Sequence, residues 1–135
     1  MFFRLEMILR LLLAAFLGGI IGYEREIEEK PAGLRTHMLL AMGSTIFTML
    51  SYSAFPGSDP SRVAASIIVG IGFIGAGTIY QQRDKIVGLT TAVSLWVTTA
   101  IGMSIGTGFY LLGVITTLVT FLILSLKIFE RKVKS

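Results

Sequence analysis

The sequence predicts an all-α integral membrane protein, a bundle of about five transmembrane helices, and three observations lead there. Hydrophobic residues make up 53% of the 135-residue chain. The mean hydropathy of +0.79 is too high for a soluble chain of this length. Charges fall in short clusters between long apolar runs, and from Ile86 to Leu126 there is none at all. A spanning helix needs about 20 mostly apolar residues. It must also pair its own backbone polar groups, which favours helix over any open strand arrangement. The length fits one transmembrane domain, residues 1–135, with spans near 8–23, 37–55, 62–80, 89–105 and 109–128.

The first run, Leu11 to Tyr23, follows MFFRLEMILR and has the outline of a secretory signal. Ala14, Ala15, Gly18, Gly19 and Gly22 nevertheless gather on one helix face and include a GxxxG pair, Gly18 and Gly22. A signal peptide has no use for such a face, so a retained first span is expected, with Arg10 snorkelling to the interface. Pro31 and Gly33 break the charged segment Glu24–His37. The second run, His37 to Phe55, carries Ser44, Thr45, Thr48 and Ser51 at spacings suited to bonds across helices.

Asp59 and Pro60 then read as a helix start. The helix they open, to Tyr80, carries Gly70 and Gly77 with Ser66 on one side and Gly72 and Gly75 with Ala65 and Ala76 on the other. Two small-residue sides suit a helix approached by two neighbours, so this glycine-rich helix is expected at the centre of the bundle. Gln81–Val87 is a polar link. Gly106-Thr107-Gly108 divides the final apolar run into a fourth and a fifth helix. The fourth offers Gly102 and Gly106 on a small-residue face that, with the face from Ala14 to Gly22, is expected to match the sides of the central helix.

Lys and Arg near the span ends set orientation. Arg25, Lys30, Arg35, Arg83, Lys85, Lys127, Arg131, Lys132 and Lys134 fall on one side, and Arg4, Arg10 and Arg62 on the other. The bias puts the N-terminus outside and the C-terminus in the cytoplasm. Gly33-Leu34-Arg35-Thr36 ahead of helix two echoes Gly88-Leu89-Thr90-Thr91 ahead of helix four. The echo reads either as a relic of duplicated hairpins or as a recurrent helix start with Thr as cap.

The chemistry the residues exclude is informative. Gly70-Ile71-Gly72-Phe73-Ile74-Gly75 spells GxGxxG inside an apolar helix, where no βαβ unit fits around it. Cysteine is absent and His37 is the single histidine, so thiolate and multi-histidine metal sites are out, as is a Ser-His-Asp arrangement. Glu24, Glu26, Glu28 and Glu29 resemble a weak cation site, but Arg25, Lys30 and Arg35 are near enough to neutralise them, and a solvated charge cluster is expected. Glu24 and Arg25 follow Tyr23 at the membrane edge, where partial desolvation makes a pair costly to lose. His37 reads as an interfacial polar residue opening helix two, with a proton-linked role the alternative. Asp59 and Arg62 read as a cap and a charge pair, or as half of a polar site at the outer face. Trp96, in mid-helix, should seek a partner inside the bundle, with Thr98 and Thr99 the candidates by position. No acid or base stands deep in a span, which counts against an ion-coupled pump. The net charge of +4 is a matter of orientation and carries no nucleic-acid footprint.

Three segments resemble the MgtC/SapB family: ERE with KPAGLRTH (Glu24–Glu26, Lys30–His37), DPSRVAASIIVGIGFIGAGTIY (Asp59–Tyr80) and GLTTAVSLWVTTAIG (Gly88–Gly102). The resemblance covers about Leu11 to Phe121 and is to the membrane domain, without the soluble C-terminal domain that the best-known members carry. It implies a multi-pass protein of the bacterial inner membrane, associated with low magnesium, stress and survival in phagocytes. It further implies a non-enzymatic role, without cofactor, that modulates another membrane complex such as the ATP synthase. A small homo-oligomeric ion channel or transporter is the alternative. Carried over by position, it singles out Glu24, Arg25, Glu26, Gly33, Arg35, Thr36, His37, Asp59, Arg62, Gly72, Gly75, Gly77, Thr90, Thr91 and Trp96. The expected partners are the lipid bilayer, a second membrane complex and further copies of the chain.

Overall fold

Glycines facing hydroxyls decide how this chain packs. The computed structural model describes residues 2–133, with side chains described for 4–127. Five helices follow in order: α1 (Phe2–Ile27), α2 (Leu34–Ser53), α3 (Ser61–Ala76), α4 (Leu89–Thr107) and α5 (Tyr110–Val133). Between α3 and α4 lies a two-stranded antiparallel hairpin, β1 (Tyr80–Gln82) and β2 (Lys85–Val87). Stretches 4–27, 89–107 and 110–127 are long and apolar enough to cross a membrane; α3 is apolar but only 16 residues long. Lys134 of the charge count lies outside the described residues, as do the side chains of Arg131 and Lys132.

The centre is α2, not the glycine-rich α3. Antiparallel to α2, α1 comes so close that a methyl group added at Gly18 would lie 2.5 Å from the His37 carbonyl oxygen, and one at Gly22 2.7 Å from Leu34 Cα. On its other side α4 runs parallel to α2, and a methyl at Gly102 would collide with the Ala41 carbonyl oxygen. One at Gly106 would stand 2.8 Å from Thr48 Cβ. The small-residue faces of α1 and α4 are therefore both spent on α2. Hydroxyls complete the second seam: Ser44 donates to the Thr99 carbonyl at 2.7 Å and Thr45 to the Gly102 carbonyl at 2.8 Å. Ala14, Leu17, Ile21, Ala41, Ile101, Ile105 and Leu124 form the adjoining apolar core, which α5 closes against α4 and α1.

The expectation that α3 is central is corrected by this packing. It lies at the edge, with its main contacts to α4 and α2. A methyl at Gly70 or Gly72 would meet nothing within 4 Å, while one at Gly75 would touch Ala92 at 3.5 Å and Gly77 ends the helix. Phe73 is 86% exposed. The physical reason lies in what each helix offers. Glycine permits close approach, but a partner gains more where its Ser and Thr hydroxyls meet the exposed carbonyls. Those hydroxyls are on α2, whereas Ser66 on α3 bonds the Arg62 carbonyl of its own helix.

The third span is also shorter than expected. Past Ala76 the chain turns, Thr78 Oγ1 donates to the Gly75 carbonyl, and Tyr80 already belongs to β1. Gly88 closes the hairpin at φ +91°, where a methyl would collide with the Thr78 carbonyl oxygen. Any other residue there would be strained as well as crowded. The break between α4 and α5 falls where expected: Gly108 sits at φ +88°, and Gly108 and Phe109 N–H bond the Ile105 and Ser104 carbonyls.

Candidate functional site

The polar residues gather at the end of the bundle where α1 finishes and α2 and α4 begin. Helix α1 carries Glu24 and Arg25 below its apolar face, at 6% and 1% exposure. Arg25 Nε and Nη2 donate to the two carboxylate oxygens of Glu24, a bidentate pair. So this part of the acidic segment is buried and matched, where a solvated cluster was expected. The other carboxylates are spent separately. Glu26 Oε2 accepts the Leu34 N–H at 2.8 Å. The last turn of α1 thereby caps the first turn of α2, a role that Gly33 lacks the side chain to fill. A methyl at Gly33 would collide with that same carboxylate oxygen. Glu28 Oε2 lies 3.3 Å from Lys127 Nζ on α5. Among the described residues, no group of three or more His, Asp or Glu is placed to share a metal ion.

His37 is wholly buried rather than interfacial. Its Nδ1 lies 3.0 Å from the Gly33 carbonyl and its Nε2 3.1 Å from Ser94 Oγ on α4. A carbonyl only accepts, so Nδ1 carries the proton there. Ser94 Oγ also lies 2.7 Å from the Thr91 carbonyl, so its single proton serves either that oxygen or the unprotonated His37 Nε2. His37 thus clips the starts of α2 and α4 together, and the two Gly-Leu-x-Thr segments prove to open parallel, adjacent helices. In neither is the Thr the cap: Gly33 and Gly88 occupy those positions.

The remaining candidates divide. Thr91 is buried in the cluster, while Thr90, Arg35 and Thr36 are exposed beside it. Asp59 and Arg62 lie at the opposite end, where Asp59 Oδ1 accepts the Ser61 N–H at 2.8 Å and opens α3. Trp96 is 54% exposed, which corrects the expectation of an internal partner. Helix α4 buries positions 91, 94, 95, 98, 101, 102 and 105, and position 96 falls on the other side. Thr98 and Thr99 bond the Ser94 and Leu95 carbonyls instead.

Sequence reasoning missed a second cluster at that opposite end. Arg10 Nη1 donates to the Gly106 carbonyl, Nε to Tyr110 Oη at 2.8 Å, and the Arg10 guanidinium pairs with Glu6. Arg10 thereby caps the C-terminus of α4 and ties it to α1. The Glu6–Arg10 spacing of four was the one signal available.

A helical bundle with three helices of membrane-crossing length, glycine-to-hydroxyl seams and a buried ion pair at one end defines the class. The chain belongs to the MgtC family, a family of membrane proteins, whose model matches residues 11–132. It is 50% identical over 127 residues to YhiD of Escherichia coli K12, which carries the provisional name of a magnesium transporter. That match covers 88% of this chain and 59% of YhiD. It is 45% identical over 95 residues to protein MgtC of Brucella abortus, covering 70% of this chain and 40% of that protein. With protein SrpB of Synechococcus elongatus it shares 42% over 130 residues, 86% of this chain and 71% of SrpB. The chain thus spans about three fifths of YhiD and two fifths of the Brucella protein. No solved structure matches.

Proposed function

We propose that this chain is a multi-pass protein of the bacterial inner membrane that acts without catalysis, by modulating another membrane complex through helix contacts. The charge bias of the loops supports an outside N-terminus and a cytoplasmic polar cluster. One observation carries the reading: the seams of α2 with α1 and α4 are filled, and the space between α2 and α3 is not. Glycines of α1 and α4 abut α2, and the hydroxyls along α2 and α4 are donated to carbonyls. A groove of about 680 Å³ remains between α2 and α3, lined by Leu39, Phe47, Ile67, Gly70 and Ile74. A surface of this kind suits contact within the bilayer better than passage through the monomer. Adaptation to magnesium limitation or stress is the physiological setting the family resemblance supports.

ATP-driven proton pumping in inverted vesicles, with and without the protein, tests the modulator in its ATP-synthase form. A change in pumping is expected, and unchanged pumping at saturating expression removes that form. The provisional name of YhiD favours a second reading, a small homo-oligomeric transporter for magnesium. Magnesium-sensitive dye inside proteoliposomes decides it: uptake above that of empty liposomes establishes transport, and a flat trace rejects it.

A further inference from the structure

Arg25 of the buried ion pair lines a cleft beside the polar cluster. About 730 Å³ in volume, it opens at the same end of the bundle between the 28–33 turn, the hairpin, the start of α4 and the last turns of α5. Four cations line it, Arg25, Lys30, Lys85 and Lys127, against one lining carboxylate, Glu29. Glu24 matches Arg25, Glu28 reaches Lys127, and Glu29 offsets one of the two remaining cations, so Lys30 and Lys85 leave one positive charge unbalanced.

Two further features point to an anion. First, like charges are crowded there. The Lys127 ammonium beside Lys30, with desolvation and Arg25 behind it, holds Lys30 below the usual lysine range despite the pull of Glu28. The fold keeps these cations together, and an anion between them would relieve the repulsion. Second, α4 begins in the cleft. Its first turn points unpaired backbone N–H groups outward, and its N-cap is Gly88, which has no side chain to accept from them. A helix N-terminus flanked by lysines suits a phosphate in both dipole and geometry. The rim toward the bundle exterior is apolar: Leu89, Ile123 and Leu126 are each more than half exposed. A headgroup seated in the cleft would let its acyl chains run down these residues.

We propose that this cleft binds a phosphate group through Lys30, Lys85, Lys127 and the N-terminal backbone of α4. The group would come either from an anionic phospholipid headgroup or from a soluble phosphate.

Thermal unfolding of the full chain in dodecyl maltoside tests this, because a ligand of the folded state raises the midpoint. Phosphatidylglycerol, phosphatidylcholine and sodium phosphate, the last against sodium chloride at equal ionic strength, are titrated separately. Phosphatidylglycerol or phosphate is expected to raise the midpoint, with phosphatidylcholine much weaker. Lys30→Gln/Lys85→Gln should weaken the effective ligand about tenfold. Arg83→Gln, at the hairpin tip outside the cleft, should keep it. A response to phosphatidylglycerol alone assigns the lipid as source; a response to sodium phosphate assigns a soluble phosphate. The proposal is overturned if neither ligand shifts the midpoint, if phosphatidylcholine matches phosphatidylglycerol, or if the double variant responds as the parent does. Lys85→Gln alone, on an exposed strand, and lipid retention by native mass spectrometry keep the test decisive should the double variant fold poorly.

Discussion

Arg25 and Glu24 show what a single buried side chain costs and contributes. Each satisfies the other through two hydrogen bonds in a nearly water-free position. Removing one leaves the other charge stranded, so Glu24→Gln is expected to cost about 3–5 kcal/mol of stability. Glu24→Leu/Arg25→Leu together should cost far less, because no charge is left unpaired. Unfolding in detergent micelles would measure both, and equal losses in single and double variants would reject the ion-pair account. Glycines divide in the same manner. At Gly102 a methyl meets backbone and Ser44, so Gly102→Ala should destabilise by about 1–3 kcal/mol. At Gly70 it meets open space, and Gly70→Ala should stabilise by roughly 0.5–1 kcal/mol through helix propensity alone. A loss at Gly70 matching that at Gly102 would show that α3 is packed after all.

Single helices were readable in the sequence where local chemistry alone sets them. Asp59 opens α3 and Gly108 ends α4, both as their residue types required. Hydrogen bonds from Ser61 hold the Asp59 carboxyl below its ordinary value. A carboxyl depressed by folding contributes stability above its unfolded pKa and loses it as pH falls through the lower folded value. The protection of amides 61–64, taken relative to their intrinsic exchange at each pH, should therefore fall on going from about pH 5 to about pH 3, and Asp59→Asn should flatten the difference. Thr45 reports on the seam between α2 and α4. Its hydroxyl serves both the Ala41 and Gly102 carbonyls, so Thr45→Val should cost roughly 1 kcal/mol in micelle unfolding. The hairpin was not readable: Gln81–Val87 has no strand-like alternation long enough to register, and the close approach of Gly88 to Thr78 at its base is a tertiary contact.

For the molecule as a whole, the sequence by itself determined what each segment is. Composition required a helical chain of membrane character, charge clusters and glycines marked the breaks, and the segments Glu24–His37 and Gly88–Gly102 held the residues that meet in the polar cluster. Single engineered cysteines at Ser58 and Arg83 would test the orientation: labelling by an impermeant reagent in intact cells is expected at Ser58 alone. Only the tertiary structure decided which segment is central. Periodicity reveals that a helix face is small, but not whether the neighbour that fills it carries hydroxyls to meet the exposed carbonyls. The glycines of α4 found such a neighbour in α2 and those of α1 met its close backbone, while those at the middle of α3 found neither. For the same reason Arg10, His37 and Glu26 took partners on other helices that no spacing within one segment announces. Local sequence fixes the shape and polarity of a helix surface, whereas pairing depends on complementarity between surfaces far apart in the chain.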